Sequence, residues 1–204
     1  MFQLTVTQNI YIIFLALGGA LFLLLLGMLI YFNFIANKKV KELTYLKLKR
    51  LCDFNDFLLL NNYHSTLDES HEGIVDHIVI CKKFIILIND FSLSGVISGS
   101  YQDETLKNYN KNKGSIIANP LNYNINLAKR LSLFNDLDPS FLKGLVVINN
   151  DSEINVANMS NQFLICKRKD IKKIIKQFDK EDVKNLNENS VVRFINYLNS
   201  INHG

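Results

Sequence analysis

The acidic and histidine side chains between residues 71 and 77 are the first candidates for chemistry. His71 and Glu72 come shortly before Asp76 and His77, and such side chains can ligate a metal. Polar neighbours predict a loop for the first pair, whereas β-branched neighbours predict a strand for the second. Because successive strand residues point to opposite faces, the four side chains are not expected to form one site. The strand carboxylate of Asp76 is then the main candidate.

Several blocks around Asp76 have a distinctive order and spacing: the strand Val75–Ile80, the apolar run Ile85–Ile88, the pair Gly95 and Gly99, and Asn119 followed by Pro120. This arrangement resembles the nuclease-related domain (NERD), a branch of the PD-(D/E)xK, restriction-endonuclease-like fold. In that family a strand aspartate, an E-x-K motif, two glycines and an N-P-x-x-Q helix start follow in the same order. The resemblance covers roughly residues 38–148, and Glu42 matches the family's early glutamate.

The resemblance implies a nuclease site that has lost key side chains here. In the family, the aspartate and the glutamate bind a divalent metal, and the lysine positions the attacking water. Mg²⁺ needs several oxygen ligands in near-octahedral geometry before it can activate that water. Asp76 keeps the aspartate, but Asn89, Phe91 and Tyr123 stand at the glutamate, lysine and glutamine positions. We therefore predict a degenerate site without a cofactor, with Mg²⁺ bound only if activity remains.

Two interpretations of Asp76 stay open. Its carboxylate can have a structural role, capping backbone or pairing with a nearby lysine. Alternatively, neighbours replace the lost groups, with Asp90 as a second carboxylate and Lys82 or Lys83 as the lysine. Strand alternation turns Asp90 away from Asp76 unless a bulge intervenes.

An apolar run near the start of the chain predicts a transmembrane helix. Residues 1–37 contain no charged side chain, and Ile10–Phe34 is almost entirely apolar. A spanning helix needs about 20 such residues, and Tyr11 and Tyr31 fit the interfacial aromatic belts. The run is longer than a signal-peptide core and lacks a preceding basic residue.

Six basic residues follow the span and are predicted to lie at the membrane surface: Lys38, Lys39, Lys41, Lys47, Lys49 and Arg50. With Glu42 they carry +5, against +4 for the whole chain, so the remainder carries −1. Positive charge beside a span marks the cytoplasmic side. We expect a single-pass cell-membrane protein with its N-terminus outside and its C-terminal domain in the cytoplasm. The near-neutral remainder gives little support to nucleic-acid binding.

Apolar patterning predicts an α/β domain, a restriction-endonuclease-like mixed sheet flanked by helices. Helices are expected at 38–52, 120–134, 170–178 and 191–201, and strands at 57–60, 74–81, 84–88, 96–98, 115–117, 144–148 and 163–166. The polar stretches 64–72 and 101–114 are expected to be loops. The three cysteines lack a CxxC pair, which predicts reduced, mostly buried thiols.

The expected domain order is a short extracytoplasmic N-terminus (1–9), a transmembrane helix (10–35), a basic juxtamembrane helix (36–52), a NERD-like domain (53–178) and a C-terminal helical segment (179–204). The leading functional hypothesis is a catalytically inactive binding or scaffold module. Its expected partners are the lipid bilayer and another membrane or cytoplasmic protein. The alternatives are a Mg²⁺-dependent nuclease with relocated residues, and an unrelated membrane-associated α/β protein.

Overall fold

The computed structural model describes residues 6–68, 71–111 and 113–201. Within these ranges it describes the side-chain surroundings of residues 11, 14–31, 41–63, 74–111 and 113–200. The chain forms two compact units, Met1–Lys39 and Val40–Gly204. The predicted domain boundaries stay predictions.

Helix α1 (Val6–Asn55) covers both the predicted span and the predicted basic helix. In the first unit, the stretch Phe14–Tyr31 has a mean hydropathy of 2.4, and none of it is buried. At 1.5 Å per helical residue, a stretch of this length and composition can cross most of a bilayer's hydrocarbon core. The first unit therefore has one helix that is long and apolar enough to span a membrane.

The second unit contains the strands, which are β1 (Leu58–Asp68), β2 (His71–Ile80), β3 (Ile85–Asp90), β4 (Val96–Ser100), β5 (Thr105–Asn110), β6 (Lys113–Ala118), β7 (Leu142–Ile148), β8 (Glu153–Ala157) and β9 (Phe163–Lys167). Five of them form a mixed sheet in the order β1-β2-β3-β7-β9. The first three strands pair antiparallel, and β3, β7 and β9 pair parallel. All seven residues of β7 are buried, as in a parallel strand covered on both faces.

The remaining four strands form a second, smaller sheet in the order β6-β5-β4-β8. Strands β4, β5 and β6 pair antiparallel, whereas β4 and β8 pair parallel. Leu106 of β5 and Ile97 of β4 are buried and belong to the same apolar cluster as one face of the larger sheet. The smaller sheet therefore shares a hydrophobic core with the larger sheet.

Helices cover both faces of the larger sheet. They are the C-terminal part of α1, α2 (Pro120–Asn135), α3 (Ile171–Asp179) and α4 (Glu188–Ile201). One apolar cluster joins the sheet to α2 and α4. The other joins it to Leu48 and Leu51 of α1 and to Ile171 and Phe178 of α3. Helix α2 begins where predicted, because the Asn119 side chain accepts the backbone N–H of Leu121 and Pro120 takes the first helical position.

The predicted α/β class with a mixed sheet is confirmed, but some local predictions were wrong. The stretch 64–72 is not a loop in its described part, because β1 and β2 extend into it as a long hairpin. The stretch 101–114 contains β5 and the start of β6. Residues 96–98 do form a strand, yet it belongs to the second sheet. Strand β8 was not predicted at all.

The three cysteines are free and buried, as predicted. Burial raises the pKa of the Cys52 thiol to about 11, with the nearby Asp53 charge adding to the effect. Burial also raises the pKa of Cys166 to about 12 and shifts that of Cys81 upwards. These groups therefore remain protonated thiols at neutral pH.

Gly95 immediately precedes β4 and has a backbone φ of 99°, a region that residues with a Cβ rarely adopt. A Cβ placed there would also overlap the backbone carbonyl of Tyr109 on the neighbouring strand. The first glycine of the predicted motif is thus required by the close approach of two strands.

We expect Gly95→Ala to lower the free energy of unfolding by about 2 kcal/mol, since it adds backbone strain and a clash with a backbone atom. Denaturant unfolding of the full chain in detergent, followed by circular dichroism, measures the change. Gly114→Ala is the matched control, because a Cβ there would meet only the side chain of Tyr109. Equal stability of the two variants would contradict the prediction.

Candidate functional site

An open pocket of about 310 Å³ lies where β2 and β3 meet α1 and α2. Its lining residues are Lys41, Ile74, Asp76, Asn89, Asp90, Phe91 and Tyr123. They include four of the five family-equivalent positions named from the sequence, all except Glu42. The pocket is therefore the structural counterpart of the predicted degenerate site.

Asp76 is buried, with only 5 % of its surface exposed. The β2–β3 backbone ladder ends at the pair His77 and Ile88. Beyond it, Asp76 Oδ2 accepts the backbone N–H of Asp90 at 2.8 Å. Asp76 Oδ1 forms an ion pair with Lys41 Nζ at 2.5 Å. Both carboxylate oxygens thus have partners within the fold, one from a strand and one from α1.

Asn89 and Tyr123 both bind the backbone of Ile74. Asn89 Nδ2 donates to the Ile74 carbonyl at 3.1 Å, and the Tyr123 hydroxyl donates to the same oxygen at 2.9 Å. The Tyr123 oxygen also accepts the Ile74 N–H. Partial burial raises the pKa of Tyr123, so its hydroxyl keeps the proton that it donates. These side chains hold the strand that carries Asp76.

The amide oxygen of Asn89 has a different environment. Among the described residues, it is a buried oxygen without a hydrogen-bond partner, and Asn89 as a whole is 6 % exposed. A buried, unpaired amide oxygen costs free energy. It is therefore a pocket acceptor that the described part of the fold leaves unpaired.

Phe91 and Glu42 bring no charge to the centre of the pocket. The Phe91 N–H donates to the Val147 carbonyl at 2.8 Å, and its half-buried side chain packs against the core. Glu42 is exposed on α1. It is the neighbour of Lys41, and adjacent helical residues lie about 100° apart around the axis, so the residue facing Asp76 is the lysine.

A second polar cluster, beside the pocket, was not predicted. The Asp90 side chain is fully buried; it accepts from the Thr44 hydroxyl at 2.6 Å and contacts His77 Nε2 at 3.1 Å. His77 Nδ1 lies 2.7 Å from Asn61 Oδ1. Because both ring nitrogens face oxygen atoms, both donate only in the imidazolium form. Arg168 Nε also donates to Thr44 Oγ1, at 3.3 Å. The Asp90 carboxylate is thereby engaged away from Asp76.

The six basic residues of the predicted membrane surface have different environments. Lys41 pairs with Asp76. Lys47 Nζ donates to the carbonyls of Arg168 and Lys169 at 2.7 and 2.8 Å, and burial together with the Lys172 charge lowers its pKa. Lys49 and Arg50 are exposed. The side chains of Lys38 and Lys39 lie outside the described residues, as do those of His71 and Glu72.

The pocket does not fit the divalent metal that the resemblance implies. Mg²⁺ and Mn²⁺ are hard cations that require several free oxygen ligands, usually with more than one carboxylate. Asp76 has both oxygens engaged, and one partner is an ammonium that repels a cation. Within the described part of the chain, no group of three His, Cys, Asp or Glu side chains has metal-binding geometry.

Two of the three possible substitute residues are also committed elsewhere. Asp90 binds Thr44 and His77. Lys83 Nζ donates to the Glu181 carbonyl at 2.6 Å, at the other end of β3. The lysine that reaches Asp76 comes instead from α1, three residues before Thr44. Helical spacing of Lys41, Thr44 and Tyr45 along one face was the signal that could have identified it.

We expect Asp76→Ala to lower the free energy of unfolding by about 2 kcal/mol, because it leaves the N–H of Asp90 unpaired in a buried position. Asp76→Asn keeps an oxygen acceptor and loses only the ion pair, so its cost should be about 1 kcal/mol or less. Urea unfolding of both full-length variants in detergent compares the two costs. Wild-type stability in Asp76→Ala would mean that this carboxylate does not support the fold.

Comparison with known families gives a match over more than half of the chain. The model of the nuclease-related domain, NERD, matches residues 36–149. No curated protein and no solved structure matches the chain. The matched range includes α1 from residue 36, strands β1 to β7, the pocket and helix α2. The two mixed sheets flanked by helices are consistent with a PD-(D/E)xK-like fold. The chain belongs to the nuclease-related domain family.

Proposed function

We propose that this protein is a membrane-anchored NERD domain that no longer hydrolyses nucleic acid and acts as a binding or scaffold module at the cytoplasmic face. The ion pair between Lys41 Nζ and Asp76 Oδ1 carries the proposal. It places a protein-borne positive charge against the carboxylate that family members use to hold a metal. The charge of Asp76 is then balanced without an ion.

The amide at position 89 supports the same proposal. An amide oxygen is a weaker ligand for a hard cation than a carboxylate, and the Asn89 amide nitrogen is already bonded to Ile74. Phe91 offers no proton donor and no charge. Asn89 therefore lacks the charge of the metal-binding glutamate, and Phe91 cannot orient or activate a water molecule for attack on a phosphate.

Asn89→Glu combined with Lys41→Met should restore metal binding, because the double variant returns the second carboxylate to the pocket and removes the ammonium that repels a cation. We expect Mn²⁺ to raise the melting temperature of this variant, since a ligand that binds only the folded state stabilises it. The wild type should not respond, and neither should Asn89→Gln combined with Lys41→Met, because glutamine has the length of glutamate without its charge. A thermal shift in the wild type that Asp76→Asn abolishes would contradict the proposal.

The location of Lys41 also favours a second candidate function, a Mg²⁺-dependent nuclease with a relocated lysine. Such an enzyme would use Lys41 in place of the lost lysine, with Asp76 as a metal ligand. Incubation of the full chain with DNA and RNA in Mg²⁺ or Mn²⁺ separates the candidates. We expect no metal-dependent cleavage above the level of Asp76→Asn. Cleavage lost in both Asp76→Asn and Lys41→Met would establish the nuclease instead.

The apolar stretch Phe14–Tyr31 supports the anchoring part of the proposal. We expect the full chain to sediment with membranes, to remain there in high salt and at alkaline pH, and to be released by detergent. Salt would release a protein held only by Lys49, Arg50 and other surface charges, because screening weakens such contacts. Recovery in the soluble fraction without detergent would exclude an anchor.

The distribution of charge beside the apolar stretch supports the proposed orientation of the protein in the membrane. The segment Lys38–Arg50, with six basic residues and one acidic residue, follows the apolar stretch. This arrangement favours a cytoplasmic second unit. In intact cells, a protease added outside should cleave a tag placed before residue 1 and should spare a tag placed after residue 204.

A further inference from the structure

The hairpin of β5 and β6 is a basic surface segment of the second unit that the pocket does not use. Between Thr105 and Ala118 the chain has three lysines, Lys107, Lys111 and Lys113, and no acidic residue. All three lysines are exposed. We call the described residues of this segment, 105–111 and 113–118, the basic hairpin.

One face of the basic hairpin packs against the hydrophobic core. Leu106 is 1 % exposed and lies opposite Ile117, which packs against the same cluster. Because side chains alternate along a strand, the neighbouring residues belong to the outer face. These are Lys107, which pairs with Ile116, and Tyr109, which pairs with Gly114.

The outer face combines charge with exposed apolar surface. Ile116 is 74 % exposed and Tyr109 is 47 % exposed. Gly114 leaves room for the aromatic ring, because a Cβ at Gly114 would lie 3.1 Å from a ring carbon of Tyr109. On this face an aliphatic and an aromatic side chain lie beside the exposed Lys107, and the exposed Lys111 follows at the turn, so that the surface is amphipathic. Lys113 pairs with Asn110 and alternates to the other face.

We propose that the outer face of the basic hairpin docks on an anionic phospholipid bilayer. Lys107 and Lys111 would bind headgroup phosphates. Tyr109 fits the interfacial zone, where an aromatic ring contacts the acyl boundary and its hydroxyl stays hydrated. Ile116 would enter the apolar edge of the headgroup region and leave water, which is favourable for an aliphatic side chain.

A bilayer fits this surface better than a nucleic acid does. Binding to a single strand would use the ring of Tyr109 and the lysines, but it gives no reason for an exposed isoleucine between them. The basic hairpin also has no arginine, the residue that most often makes specific contacts with bases.

The proposal rests on the membrane anchor of the proposed function. A chain fixed in a bilayer keeps its second unit at a high local concentration of lipid, so that a weak contact becomes effectively intramolecular. Lys107, Lys111 and two apolar side chains can then hold the surface at the membrane without strong intrinsic affinity.

A tryptophan probe tests the contact, since the chain contains no tryptophan of its own. The full-length Tyr109→Trp variant is reconstituted into vesicles of neutral phosphatidylcholine, with or without anionic phosphatidylglycerol, and with brominated acyl chains as quenchers. We expect blue-shifted, strongly quenched emission in the anionic vesicles and weaker quenching in the neutral ones. Leu133→Trp, at a residue that is 82 % exposed on α2, is the positional control and should show the emission of an indole in water.

Charge variants made in the Tyr109→Trp chain test the role of the lysines. Each lysine near an anionic surface contributes about a fivefold factor in affinity, so Lys107→Gln/Lys111→Gln should weaken the contact by a factor of about 25. The matched control is Lys180→Gln/Lys184→Gln, which removes two exposed lysines elsewhere and should leave the quenching unchanged.

Three outcomes would overturn the docking surface: water-like emission from a chain that is stably inserted, equal quenching at positions 109 and 133, or a response of Tyr109→Trp to oligonucleotides but not to anionic lipid. Failure of the chain to insert into the vesicles at all would count against the anchor of the proposed function. Separating inserted from free protein by flotation before the fluorescence measurement keeps the two failures distinct.

Discussion

A buried carboxylate must be neutralised or bonded, and in this protein that requirement determines the structure around the pocket. Asp76 is 5 % exposed, so its negative charge cannot rely on bulk water. Lys41 supplies the opposite charge from α1, and the N–H of Asp90 supplies a hydrogen bond from β3. In a metal-dependent relative, divalent ions do the first of these tasks. Here Lys41 of α1 neutralises the negative charge, so that Asp76 links α1 to the sheet.

The neighbouring cluster around Asp90 obeys the same constraint. Its side chain is fully buried, and it is bonded to Thr44 of α1 and to His77 of β2. Lys41 and Thr44 are three residues apart on one helical face, and each contacts a different acidic residue of the sheet. Tyr45 stacks on His77 beside them, with ring centroids 6.4 Å apart. Along this face of α1, the contacts of Lys41, Thr44 and Tyr45 are polar or aromatic. Further along the helix, Leu48 and Leu51 make apolar contacts.

Sequence patterns predicted the parts of the fold that depend on local regularity. The strands of the larger sheet were recognisable because buried parallel and central strands are almost uniformly apolar, and α2 was recognisable from Asn119 and Pro120. Strand β5 was missed and β6 was predicted only at 115–117, because the segment is rich in Lys and Asn, and Leu106 and Ile117 are the residues that it contributes to the core. The positions of Asp76, Asn89, Phe91 and Tyr123 in one pocket followed from the family resemblance. The partner of Asp76 did not, because the pairing with Lys41 depends on how α1 packs on the sheet, over a separation of 35 residues.

The burial of the three cysteines has a practical consequence for chemical labelling. A maleimide or iodoacetamide reacts with the thiolate, and the raised pKa of Cys52 and Cys166 leaves almost none of it at neutral pH. The native cysteines of the folded wild-type chain therefore give almost no background labelling. A single cysteine introduced on an exposed surface would be modified selectively, so that spin labels, fluorophores or crosslinkers can be attached one site at a time without first deleting the native thiols.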